Sequence, residues 1–99
     1  MGLIEKIEEA LELHAVKSRA KKVTREESKR YDSLIDEARD NGDLAKILTY
    51  GLFKNSIREG GKAISRSKNP MEIEIRKTGV SAMSVAGRIA AKKVGKDGK

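Results

Sequence analysis

Residues 68–79 read KNPMEIEIRKTG, and the fold turns on them. Met71, Ile73 and Ile75 alternate with Glu72, Glu74 and Arg76, the period of two that marks a half-buried strand. Lys68-Asn69-Pro70 in front and Lys77-Thr78-Gly79 behind supply turn chemistry on both sides. An isolated strand leaves its backbone donors and acceptors unpaired, so this one needs a partner. Two candidates are at hand: Lys62 to Ser67, completing a hairpin, or the same strand of a second subunit.

The rest of the chain spaces its apolar residues at three and four, as helices do. Leu3, Ile4, Ile7, Leu11 and His14 form one stripe, predicting a first helix from about residue 2 to about residue 20. The basic segment VKSRAKKVTR follows. Thr24 with Glu27 is a capping-box pattern, predicting that a second helix opens there. It carries Tyr31, Leu34, Ile35 and Ala38 inward and stops at Asn41-Gly42. Asp43 caps a third helix, apolar nearly all round through Leu44, Ile47, Leu48, Tyr50, Leu52, Phe53 and Ile57, and Gly60-Gly61 reads as its stop. A last helix is expected from about Ser81 to Val94. The expected fold is therefore mainly α with a small β element: three to four helices plus a short hairpin or inter-subunit strand pair around residues 62–76. One small domain spans 1–94, and 95–99 forms a flexible basic tail.

A chain of 99 residues sits near the modal domain size and has too little apolar surface to divide between two cores. It contains one Phe and no Trp, so burial against a second subunit is a natural source of further stability, and a homodimer is expected. The absence of cysteine removes disulfides and thiolate metal sites. No run approaches the roughly 18 apolar residues of a membrane span, and four Glu lie within the first thirteen residues, where a signal peptide has a basic start and an apolar stretch. A soluble, cytoplasmic protein without membrane contact is the expectation.

Catalysis has little to work with. His14 is the only histidine and falls on an apolar stripe, and no zinc-protease, nucleophile-elbow or dinucleotide pattern is present. The glycines before Lys62 have the wrong spacing for a phosphate loop. Asp32, Asp36 and Asp40 share a helix face, as do Glu72 and Glu74 on a strand, but both sets read as solvated surface beside lysines and arginines. Neither enzymatic activity nor a cofactor or metal is expected.

The charge is more informative. The net charge is +7, and it is clustered: residues 17–30 and 44–70 each carry +5, whereas 1–16 carry −3 and 31–43 carry −4. Clustered cations attract polyanions by neutralising phosphates and releasing counterions. The candidate nucleic-acid-binding residues are Lys17, Arg19, Lys21, Lys22 and Arg25 in one group, Lys54, Arg58, Lys62, Arg66 and Lys68 in a second, and Arg76 with Lys77 in a third. Ser65, Ser67, Asn69 and Thr78 add hydrogen-bonding groups for phosphate oxygens. Stacking on single strands interleaves aromatics with bases, but Tyr31, Tyr50 and Phe53 all occupy apolar-stripe positions. Duplex DNA is thus favoured over RNA, contacted through its backbone.

Two architectures fit. One is a helix-turn-helix with a β-wing carrying Lys62, Arg66, Lys68 and Arg76, weakened by the apolar character of the third helix where a recognition helix is polar. The other is an intertwined dimer that exchanges the strand. A function of a different class, an adaptor or structural protein of an assembly such as a virion or a mobile-element complex, uses the same apolar helix to meet another protein.

Overall fold

A computed structural model of the chain describes residues 2–95. Three helices follow one another: α1 (Gly2–Asp40), α2 (Leu44–Arg66) and α3 (Pro70–Val94). They run up, down and up, each packed against both others around one shared core. Val16, Ala20, Tyr31 and Ala38 of α1 meet Tyr50, Ile57 and Ile64 of α2 and Ile73, Val80 and Ala91 of α3.

The expected β element is absent: no strand occurs among the described residues, and residues 62–76 are helical apart from the turn at 67–69. Several local forces favour the helix. Asn69 is an N-cap whose Oδ1 accepts the Met71 N–H at 3.0 Å, and Pro70 holds the first helical position, where its missing N–H costs nothing and its fixed φ suits a helix. The Glu72 carboxylate meets Arg76 at 3.1 Å and Glu74 meets Lys77 at 2.9 Å, pairs available only at helical i+4 and i+3 spacing. The alternation itself has a helical explanation. Ile73 faces the core, fully buried, while Met71 and Ile75 lie on the far side at 73% and 66% exposure. With the strand go the β-wing and the strand-exchanged dimer, which both required it.

The first two expected helices are one. No glycine or proline interrupts residues 3–40, and the inward stripe runs straight through the basic segment on Val16, Ala20 and Val23. Thr24 does not cap; its Oγ1 donates to the Ala20 carbonyl at 3.0 Å inside the helix. Gly60-Gly61 does not end α2 either. A Cβ at Gly60 would stand 2.8 Å from the Val80 side chain, and one at Gly61 would stand 2.7 Å from that of Thr24, so the pair lets α2 approach both neighbours at one level. The last helix begins eleven residues earlier than expected, at Pro70.

Other signals hold. α1 ends in a Schellman arrangement: the Asp43 N–H reaches the Ala38 carbonyl at 2.9 Å, the Gly42 N–H reaches that of Arg39 at 3.0 Å, and Gly42 sits at φ 63. Asp43 caps α2, accepting the Lys46 N–H at 3.3 Å. Gly95 closes α3 through its N–H to Ala91, and the rest of the expected basic tail, Lys96 onward, lies outside the described residues.

Helix lengths set the shape. At 1.5 Å per residue α1 is about 58 Å long, against about 35 Å for α2 and 37 Å for α3. Lys17 Nζ reaches the Ser65 carbonyl near the end of α2, so most of what precedes it overhangs the bundle. Leu3, Ile4, Ile7 and Leu11, expected to pack inward, are 51–72% exposed, and His14 is exposed as well.

Candidate nucleic-acid interface

The continuity of α1 builds the site. Lys17, Lys21 and Arg25 fall at i, i+4 and i+8 on an unbroken helix, one above the other on one flank. α2 runs antiparallel beside them and presents Arg58 and Lys62 with Ser65. Between the helices lies an open groove of about 400 Å³ lined by Lys21, Thr24, Arg25, Arg58, Gly61, Lys62 and Ser65. A smaller hollow beside it is lined by His14, Lys17, Ser18, Lys21 and Arg25. No carboxylate lines either surface. Close packing of Gly61 on Thr24 brings the two cationic rows together.

Five of the twelve expected cations therefore converge: Lys17, Lys21, Arg25, Arg58 and Lys62. Lys21, Arg25 and Arg58 have no ion-pair partner among the described residues. Lys62 shares an exposed contact with Glu59 at 3.2 Å, a pair too solvated to hold it away from a stronger anion. Lys54 lies further along α2 and pairs with Asp32, which uses one expected cation and begins the acidic part of α1.

The other six lie elsewhere. Lys22 pairs with Glu26 on the outer side of α1, and Arg19 projects from a different flank of the same helix. Arg66 is exposed at the end of α2, and Lys68 borders a hollow of mixed charge with Lys6, Glu9 and Glu12. Arg76 and Lys77 are tied to Glu72 and Glu74 on α3. Of the expected polar helpers only Ser65 is in the groove. Ser67 and Asn69 are engaged in the α2–α3 turn, where Ser67 Oγ accepts the Asn69 N–H and donates to Glu72, and Thr78 donates to the Glu74 carbonyl.

Thr24 and Gly61 in the groove and Ser18 in the hollow beside it are lining residues that the sequence pattern does not single out. For Ser18 and Thr24 the signal is masked because a helix break at Thr24 removes the α1 face they share, and for Gly61 because the glycine pair reads as a helix stop. The aromatics lie as expected in and against the core: Tyr31 and Tyr50 meet edge to face with centroids 5.6 Å apart, and Phe53 packs against the same cluster. Asp32 and Asp36 face Lys54 and Arg39. Among the described residues no group of three or more His, Asp or Glu side chains is arranged to hold a metal ion, and no helix is long and apolar enough to cross a membrane.

Comparison of the chain with protein-family models, with curated proteins and with solved structures finds no match.

Proposed function

We propose that the protein binds the phosphate backbone of duplex nucleic acid, DNA in preference to RNA, along the groove between α1 and α2. The observation that carries this is the convergence of Lys17, Lys21, Arg25, Arg58 and Lys62 from two helices on a surface lined by no carboxylate. From Lys17 to Arg25 the row is about 12 Å long, which at 3.4 Å of duplex rise per phosphate spans three to four phosphates of one strand when measured along the duplex axis. Hydroxyls of Thr24 and Ser65 lie between the cations and suit phosphate oxygens. Nothing in the groove reads base edges, so binding is expected to be indifferent to sequence. The buried aromatics leave no platform for stacking unpaired bases.

Fluorescence anisotropy of a labelled random duplex, titrated at about 50 and 200 mM salt, tests this. Affinity should fall by at least an order of magnitude over that range, and Lys21→Glu with Lys62→Glu should abolish binding at the higher salt and flatten the salt slope. Arg76→Glu, outside the groove, should leave both unchanged. No binding at the lower salt, or equal effects of the groove and control variants, would sink the proposal.

A second function, assembly with another protein, is favoured by a separate observation. Leu44, Leu48 and Leu52 form a stripe on the solvent side of α2 at 61–71% exposure, more apolar surface than a solitary bundle ordinarily shows there.

A further inference from the structure

The core seam of α3 consists of Ile73, Val80, Ser84, Gly87 and Ala91, all buried. The helix carries a second seam. Met71, Ile75, Thr78, Ala82, Val85 and Ile89 recur at intervals of four, three, four, three and four, and every one is exposed. At 100° per residue they lie within about 50° of the line opposite the core. The large members are solvated: Met71 73%, Ile75 66%, Val85 48% and Ile89 52%. A heptad seam on each of two opposite faces is the pattern of a helix with a partner on each side.

We infer that α3 is a self-association surface, and that its occupant is α3 of a second copy, antiparallel across a twofold axis level with Val80. The residue order of the seam supports this register. About that level it is symmetric: Met71 falls opposite Ile89 of the second copy, Ile75 opposite Val85, and Thr78 opposite Ala82. Large side chains meet at the ends and small ones at the middle. Gly79 and Ala86 flank the seam, both exposed, and open space surrounds the Gly79 α-carbon where a side chain would begin. The two backbones can therefore approach to the short end of the 8–10 Å range for packed helices.

Charge selects the orientation. Glu74 and Arg88 stand on the same edge of the seam, one near each end. Antiparallel pairing sets Glu74 of each copy across from Arg88 of the other, two favourable contacts by symmetry. Parallel pairing instead sets Arg88 across from Lys93 of the second copy, twice. Glu74 and Arg88 retain reach for this: the Glu74 side chain is 44% exposed beside Lys77, and Arg88 uses its Nε on the Ser84 carbonyl at 3.3 Å, leaving both terminal nitrogens. A helix pair of this length buries on the order of 1,000 Å², the lower limit for a specific interface, so a dissociation constant in the micromolar range is expected. The inference does not depend on nucleic-acid binding, since the α1/α2 groove lies on the other side of the bundle.

Sedimentation equilibrium of the full chain from about 1 to 200 μM tests it. The wild type should pass from monomer to dimer, and Ile75→Glu with Val85→Glu, which places carboxylates opposite one another, should weaken association at least tenfold with unchanged helical circular dichroism. Should that variant lose helicity, the charge pair gives an independent result: Glu74→Arg and Arg88→Glu each weaken the dimer, and the double swap restores it. Orientation is read by disulfide formation, because the chain has no cysteine of its own. Ile75→Cys mixed with Val85→Cys should yield the mixed dimer alone. A wild type that stays monomeric at the highest concentration, a dimer broken by Leu48→Glu on α2 but not by the α3 changes, or self-linked Ile75→Cys would each overturn the inference.

Discussion

Tyr31 joins all three helices through one ring. It meets Tyr50 of α2 in a T-shaped contact, and its hydroxyl donates to the Ser84 carbonyl of α3 at 2.5 Å. Burial raises the pKa of the phenol above its ordinary value of 10.0, outweighing the opposing pull of the Ser84 contact and of the nearby Arg88. An acid whose folded pKa is raised keeps its proton in the folded state while the unfolded chain loses it, so the stability it contributes is present below about pH 10 and declines as pH rises above that. Tyr31→Phe should therefore lower stability by about 1 kcal/mol at pH 7, and denaturant titrations should show this difference shrinking above pH 10. Gly87 is a neighbouring point of contact. A Cβ there would stand 2.6 Å from the Phe53 ring and collide with the Tyr31 hydroxyl. Gly87→Ala is expected to cost about 1–3 kcal/mol by overpacking, more than the gain in helix propensity returns. Gly51 has nothing within 4 Å of that position, so Gly51→Ala should stabilise by about 0.5–1 kcal/mol. Opposite shifts of thermal midpoint in the two variants would check both.

At the scale of the element, the α2–α3 turn does what a hairpin was expected to do. Asn69 satisfies the first donors of α3 and Ser67 ties the turn to Glu72, so Asn69→Ala should cost about 1 kcal/mol in chemical denaturation, whereas a hairpin turn would be insensitive to loss of that side chain. Much of this was legible in the sequence. The Asn-Pro pair is a helix-start signal as much as a turn signal, and Asn41-Gly42-Asp43 is legible as a stop followed by a cap. Met71, Ile73 and Ile75 misled because a six-residue window cannot separate a strand from a helix that is apolar on two opposite faces. Only the longer run Ile73, Val80, Gly87 and Ala91 carries the period of the core, and two of those four are too small to register as core from composition. The basic groove was half legible. The first two of the three cationic groups supply the groove and stand out in the sequence, but their meeting depends on α1 continuing through Thr24, and a capping box is a local pattern that a long core seam can override.

For the whole molecule, the mismatch in helix length matters most. The first fully inward side chain of α1 is Val16, with Leu13 packed at the margin, so deleting residues 2–11 should leave the thermal midpoint within a few degrees while lowering the helical signal in proportion to the residues lost. A large loss of stability would mean that the overhang is held by more than its own backbone. The overhang also gives the chain an extent of 62 × 19 × 14 Å and a radius of gyration of 16.9 Å, where a compact domain of this length has about 13 Å. A rod diffuses more slowly than a sphere of equal mass. One copy of this 10.9 kDa chain will therefore leave a gel-filtration column ahead of globular standards of its own weight and can pass for a pair, so the number of chains in a particle must be taken from light scattering or sedimentation rather than from elution volume.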